Sequence, residues 1–243
     1  MANPTAAMLV IGDEILSGRT RDANMHFLAG ELTKVGIDLQ EVRIVSDMRG
    51  AIIAAVRALA ERYESVFTSG GIGPTHDDIT ADCIAEAFGQ HIDVRDDARA
   101  ILQALYDRNG QTLNAARLRM ARIPDTATLI ENPLSAAPGF TLENVHVMAG
   151  VPSIFQAMVA SVLPTLTGGA PVLSETVRVH LGEGDIAGPL SDAVAVFPDV
   201  SFGSYPFQKD GVFGANVVVR GSDADRLAAA VAHLHGLFAE AIA

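Results

Sequence analysis

The chain alternates between short apolar runs and segments whose apolar residues recur at helical spacing. Thr5 to Ile11 is almost wholly apolar, the pattern of a strand buried on both faces. Leu28, Leu32 and Val35 then share one helical face in a segment starting near Ala23, with Asp22 suited to cap it and Gly36 to end it. Asp38 to Val45 reads as a second strand, and Ile52, Val56, Leu59 and Tyr63 mark a second helix. Ser65 to Thr68 is a third strand that runs directly into Gly70-Gly71-Ile72-Gly73-Pro74. Helical patterns follow at Ile79 to Phe88, Asp96 to Tyr106 and Thr112 to Ala121. A Pro-rich passage from Pro124 to Pro138 precedes a strand at Val145 to Ala149 and a helix after Pro152.

This alternation over the first 165 residues predicts an α/β fold, a mostly parallel sheet with helices on both faces. Two Pro and two Gly between Leu163 and Pro171 interrupt the pattern, which places a domain boundary there and gives domains 1–168 and 169–243. The second part reads strand (Glu175 to Leu181), helix (Asp185 to Val196), two strands (Val200 to Tyr205, Val212 to Arg220) and helix (Asp223 to Glu240), a small α+β unit.

Composition narrows the partners. The 243 residues are 49% hydrophobic and 19% charged, the balance of a folded chain. No apolar run approaches the roughly 20 residues a membrane helix needs, so no membrane partner is expected. The first ten residues carry no basic leader, which predicts a cytoplasmic location. Seventeen basic against 29 acidic residues give a net charge of −12 with no Lys/Arg cluster, which argues against a nucleic-acid partner. The single cysteine, Cys83, allows no internal disulfide or CxxC metal knuckle, and its apolar helical setting reads as a buried, inert thiol.

The chemistry concentrates where the third strand ends. A Gly-rich turn between strand and helix exposes backbone N–H groups suited to a phosphate; Thr68-Ser69-Gly70-Gly71-Ile72-Gly73-Pro74-Thr75 fits this, and fits equally a tight connection whose glycines only permit unusual backbone angles. No lysine of the Walker type is present. Asp77 and Asp78 beside the turn are able to hold Mg²⁺ or a similar hard ion, or to cap the helix that follows. Asp13-Glu14 after the first strand and Asp47 after the second belong on the same sheet edge, since ligands of open α/β sheets lie outside the carboxyl ends of the strands. Convergent carboxylates there point to metal-assisted phosphoryl or nucleotidyl chemistry; Asp47 taken alone reads as a cap for the helix starting near Gly50. His76, His233, His235 and the arginines Arg117, Arg119 and Arg122 read as exposed residues.

Five segments together resemble the molybdopterin-binding (MoaB/Mog-like) domain family, most closely its branch at the N-terminus of competence- and damage-inducible CinA proteins. They are Gly12-Asp13-Glu14-Ile15-Leu16-Ser17-Gly18; Asp22-Ala23-Asn24; Ser69 through Thr80; Asn132-Pro133 with Ala137-Pro138-Gly139-Phe140; and Gly150-Val151-Pro152. The remainder is similar, more loosely, to the KH-like domain of that branch, with Gly203-Ser204-Tyr205-Pro206 as marker. No RNA binding is implied, because Gly182-Glu183-Gly184-Asp185 is not a GXXG clamp. The resemblance implies a three-layer α/β/α sandwich that binds a pterin or nucleotide phosphate, and a homo-oligomer.

By position, Asp47 and Asp78 match the acidic residues needed for Mg-dependent transfer by the family's adenylyltransferases. The CinA branch, and the related domain of FAD synthetases, instead resemble metal-dependent hydrolases of dinucleotide pyrophosphates such as ADP-ribose or FAD. The Asp77-Asp78 pair belongs to that branch, so hydrolysis is the expectation. Asp78, Asp77, Asp13 and Glu14 are then assigned to a divalent ion (Mg, Mn, Co or Ni), and Asp47, Asp77 and Asp78 to catalysis. Ser69, Gly70, Gly71, Gly73, Pro74 and Thr75, with Asn24, Pro138 and Gly139, are assigned to the phosphate or pterin. Adenylyl transfer to molybdopterin and a non-catalytic binding module are the competing readings. Two departures bear on substrate choice: Ala23 stands where the family has Thr, and Ser135-Ala136 where it has Gly-Thr.

Overall fold

The computed structural model describes residues 3–209 and 211–242. They form two compact units divided between Gly169 and Ala170. The first runs β1 (Thr5–Ile11), α1 (Asp13–Leu16), α2 (Asn24–Lys34), β2 (Asp38–Val45), α3 (Arg49–Arg62), β3 (Ser65–Ser69), α4 (Thr80–Ala87), β4 (Ile92–Val94), α5 (Asp96–Arg108), α6 (Ala115–Leu118), β5 (Arg122–Pro124), β6 (Thr128–Ile130), β7 (Gly139–Leu142), β8 (Val145–Met148) and α7 (Pro152–Val162).

Its main sheet has the order β2-β1-β3-β8-β7-β6. The first four strands are parallel, and β7 and β6 return antiparallel. Because successive side chains of a strand point to opposite faces, central β1 feeds two cores. Ala7, Leu9 and Ile11 pack with Ile52, Val56 and Leu59 of α3, Ile84 of α4 and Leu102 of α5. Ala6, Met8 and Val10 pack on the other face with Leu28 and Leu32 of α2 and Phe155 and Val159 of α7. The result is a three-layer α/β/α sandwich. Cys83 is fully buried within the first core, and burial pushes its thiol pKa up.

The Pro-rich passage, to which the sequence pattern assigns no element, contains regular structure. It carries β6 and the start of the β6–β7 return, both too short for a periodic signal, while β5 pairs with β4 as a separate two-stranded ribbon. The predicted helix over 112–121 reduces to α6 followed by a 3-10 turn, Arg119–Ala121.

The second unit contains β9 (Leu173–Val179), α8 (Glu183–Val196), β10 (Ser201–Lys209), β11 (Val212–Gly221) and α9 (Ala224–Leu237). Its antiparallel sheet, order β10-β11-β9, buries Val177, Val179, Ala215, Val217 and Val219 against Ile186 and Ala193 of α8 and Leu227, Ala230 and Leu234 of α9. Asp223 caps α9 through the N–H groups of Asp225 and Arg226. His233 is half-buried, its ring 5.5 Å from that of Phe197, and so is not the exposed residue its sequence position suggested. Among the described residues no helix is long and apolar enough to cross a membrane.

Candidate functional site

The parallel strands β1, β2, β3 and β8 all end on one sheet edge, and antiparallel β7 begins there. A cleft of about 490 Å³ opens on that edge in the first unit. Its floor is the turn after β3. Gly70 and Gly71 adopt φ of +110° and +70°; a Cβ on Gly70 would overlap the Ile11 carbonyl oxygen, and one on Gly71 would overlap Thr80 Oγ1. Both positions therefore require glycine. Gly150 presses against the Gly70 backbone, which would lie 3.2 Å from a Cβ there.

Gly70 N–H donates to the Met148 carbonyl at 3.1 Å, and Thr80 N–H donates to the Gly71 carbonyl at 2.9 Å. Gly71, Ile72 and Gly73 line the cleft, and their N–H groups have no acceptor among the described residues. Three successive free amides make an anion cradle. The cradle is the turn itself, because α4 starts only at Thr80 and its first N–H is already engaged.

Carboxylates surround this floor. Glu14, Asp47, Asp77 and Asp78 line the cleft. Asp47 Oδ2 accepts from the Asp13 N–H at 2.9 Å, tying the loop after β2 to the loop after β1. It does not cap α3, whose N-cap position is Met48 with no side-chain bond. Burial pushes the Asp47 pKa up, and the nearby Asp13, Glu14 and Asp77 charges add to the rise. Asp78 Oδ2 accepts from Thr75 N–H at 2.8 Å and from Thr75 Oγ1 at 2.6 Å. Thr75 Oγ1 also lies 2.5 Å from Asp77 Oδ1, and that hydrogen bond holds the Asp77 pKa down. Neither aspartate caps α4, so the capping alternative is corrected for both. His76 is 98% exposed beside them.

Among the described residues no three His, Cys, Asp or Glu side chains are gathered closely enough to hold a metal by themselves. The donor set is nonetheless of hard oxygens, and Mg²⁺ commonly binds through one or two carboxylates completed by water and substrate phosphate. Asp77 and Asp78, brought together at Thr75 Oγ1 and lining the cleft, are one such pair of carboxylates. Asp13 enters the geometry through its backbone; its side chain is not part of the cleft wall.

Several other assigned residues stand one step back. Asn24 is buried, and its amide nitrogen donates to Ser69 Oγ and to the Gly150 carbonyl, each at 2.8 Å, so it ties the ends of β3 and β8 together. Ser69, Thr75, Pro138 and Gly139 likewise lie outside the cleft lining, whereas Gly70, Gly71, Gly73 and Pro74 are in it. The far wall is formed by Met120, Asn132, Ser135, Ala137, Ala149, Val151 and Ile154. The sequence marks Ser135 only as a departure bearing on substrate choice, and Asn132, Ala137 and Val151 only as motif letters. Asn132, Ser135 and Ala137 reach the cleft because β7 starts at the same edge, and Ala149, Val151 and Ile154 because they follow β8. The solvated-face reading of the arginines also fails. All three are half-buried: Arg117 stacks on Tyr106, Arg122 pairs with Asp82, and Arg119 lies behind the Gly-rich turn, donating to the Asp78 carbonyl at 3.2 Å.

The first unit is thus a three-layer α/β/α domain whose sheet edge carries a glycine turn with free amides flanked by carboxylates. The chain belongs to the molybdopterin-binding domain family: the family described as "Probable molybdopterin binding domain" matches residues 7–168. A second family, described as "FAD synthase, middle domain", matches residues 171–243. A probable FAD synthase from Caenorhabditis elegans is 31% identical over 97% of this chain, which spans about half (50%) of that relative's length. A protein from Aeropyrum pernix is 33% identical over 84% of this chain and 80% of its own. Among solved structures, the CinA protein of unknown function from Thermoplasma acidophilum matches with a TM-score of 0.62 and 34% identity, covering 67% of this chain and 97% of that one.

Proposed function

We propose that the protein is a metal-dependent hydrolase that splits the diphosphate of a dinucleotide. The observation that carries this reading is the row of three free N–H groups, Gly71 to Gly73, set between carboxylates on one side and an uncharged wall on the other. The cradle is central because β3 is central: Asp47 follows β2, and Ser135 and Ala137 precede β7, four strand spacings away. At about 4.8 Å per spacing the ends lie roughly 19 Å apart, a span suited to a ligand with its diphosphate in the middle. The relatives named FAD synthase support a nucleotide as the ligand.

In this reading the amides of the turn hold the diphosphate oxygens, and Asp78 and Asp77 would hold a divalent cation. When bound, the cation neutralises the diphosphate and stabilises charge developing in the displacement. Asp47, its pKa raised by burial, orients a water and accepts its proton as the water oxygen attacks one phosphorus. The P–O–P bond breaks and two monophosphate products leave. Among the described residues no basic side chain lines the cleft, so the ligand's charge would be met by the amides and a bound cation.

The test is incubation with ADP-ribose and FAD in Mg²⁺, Mn²⁺, Co²⁺ or Ni²⁺, with product analysis. Metal-dependent release of AMP supports hydrolysis. Adenylylation of an added pterin phosphate marks transfer instead, and binding without any product marks a module.

A further inference from the structure

The wall of the cleft opposite the carboxylates holds one polar group whose hydrogen-bonding state the geometry fixes. Asn132 is buried, and its Oδ1 accepts from the N–H groups of Leu134 (3.1 Å) and Ser135 (3.2 Å). Two backbone donors identify that atom as the oxygen, so the other amide atom is the nitrogen. It donates to the Ala137 carbonyl at 2.9 Å and to Ser135 Oγ at 2.6 Å. Ser135 Oγ is therefore an acceptor in its bond with Asn132, and its own proton remains. No acceptor for that proton exists among the described residues, and Ser135 lines the cleft.

The turn that presents this hydroxyl is closely determined. Ala136 sits at φ +58°, a region that residues other than glycine rarely occupy, and its N–H donates to the Asn132 carbonyl at 2.9 Å. Apolar side chains line the same cleft: Met120, Ala137 and Ile72 join one apolar cluster, Ile72, Ala149 and Ile154 the other. Asn132 has no hydrogen-bonding capacity left for a ligand. The subsite thus offers apolar surface and one directed donor, with no free side-chain acceptor except the second lone pair of Ser135.

We infer that Ser135 is the specificity-determining residue of this site, donating its hydroxyl proton to an acceptor on the edge of a flat heteroaromatic ring in the second half of the substrate. A ring with a carbonyl or ring nitrogen matches such a subsite. A terminal sugar matches it less well, because of its several hydroxyl protons only one finds a side-chain acceptor here, the second lone pair of Ser135. The inference rests on the proposed dinucleotide chemistry and sharpens it toward substrates with a ring at both ends.

The test is titration of the full chain, with Mg²⁺ present, by methylene-bridged non-hydrolysable analogues of FAD and of ADP-ribose and by AMP. Ser135→Ala is expected to weaken the FAD analogue about 5- to 10-fold, the worth of one neutral hydrogen bond. It should leave the other two ligands within about twofold, and Ser135→Thr, which keeps the hydroxyl, should restore the FAD analogue. Ser135→Gly keeps the turn backbone and must reproduce the same selective loss should the alanine variant melt early. An unchanged affinity for the FAD analogue, or an equal loss for all three ligands, overturns the assignment. If wild-type protein binds neither analogue, the dinucleotide reading itself fails and the assignment falls with it.

Discussion

Two glycine-rich turns in this chain look alike on paper and differ in space. Gly70-Gly71-Ile72-Gly73 closes β3, and Gly182-Glu183-Gly184 opens α8. In the first, two glycines have left-handed φ and all three lack room for a Cβ, with Asp78 Oδ2 only 2.6 Å from where one would sit on Gly73. In the second, a Cβ on Gly184 would meet nothing within 4 Å, and the nearest atom to one on Gly182 is Asp185 Oδ2 at 3.5 Å. Glycine is obligatory at Gly70 and Gly71, where a left-handed φ coincides with the Ile11 carbonyl or the Thr80 hydroxyl in the place of a Cβ, and merely permitted where a helix begins in solvent.

The largest expected contrast lies in the aspartates beside the two turns. Asp78→Asn keeps an acceptor for Thr75 but removes the charge a hard cation needs, so turnover should fall roughly a hundredfold or more with the fold retained. Asp77→Asn should be milder, since that carboxylate also answers to Thr75. Asp185→Asn removes only an exposed first-turn charge from α8 and should leave turnover unchanged. Steady-state rates and circular dichroism on the three variants check this; equal rates for Asp78→Asn and wild type would remove the metal role.

The units should also part company in acid. His146 on β8 is buried between Phe67, with ring centroids 4.9 Å apart, and Thr141 Oγ1 at 3.0 Å, and burial holds its pKa down at about 4, from 6.5. The unfolded chain takes up a proton first as pH falls. Stability of the first unit is therefore full above pH 6.5 and declines toward pH 4, by about 3 kcal/mol from this group. In the second unit Arg226 holds Asp199 down at about 2, so the contribution of that pair is lost only as pH drops from 3.8 toward 2. Urea titrations at pH 7 and 4.5 should show the slope, and His146→Gln should flatten it.

How much of this was written in the sequence depends on the length of each element. β1, β2, β3 and α3 announce themselves, because seven or more apolar-patterned residues, or a buried strand meeting a glycine turn, leave few alternatives. β6 and β7, three and four residues long, carry no period, and the return of β7 to the cleft edge is a fact of topology. The near half of the site was legible because the ends of parallel strands share an edge; Asp47 and Asp78 lie where that rule puts them. Asn132 and Ser135 were visible only as letters in a motif. Their hydrogen-bond assignments need the backbone of the turn between them. Arg119 was misread because a helical stretch in the sequence became a 3-10 turn that swings its guanidinium behind the Gly-rich loop.

The glycines themselves give the smaller effects and test the comparison most directly. Gly71→Ala forces an alanine to φ +70° and its Cβ onto Thr80 Oγ1. Losing even one charge-assisted amide bond to a diphosphate costs roughly 1.5 to 3 kcal/mol, or about one to two orders of magnitude in affinity. Gly184→Ala, on the exposed first turn of α8, meets open space and carries no left-handed φ. There alanine restricts the unfolded chain and favours the helix, so the second unit should gain about 0.5 to 1 kcal/mol. Ligand affinity should not move. Thermal melts and titration of the ADP-ribose analogue on both variants separate the cases. A destabilised Gly184→Ala, or a Gly71→Ala that binds as wild type does, would mean that a free Cβ position does not distinguish a working turn from an ordinary helix start.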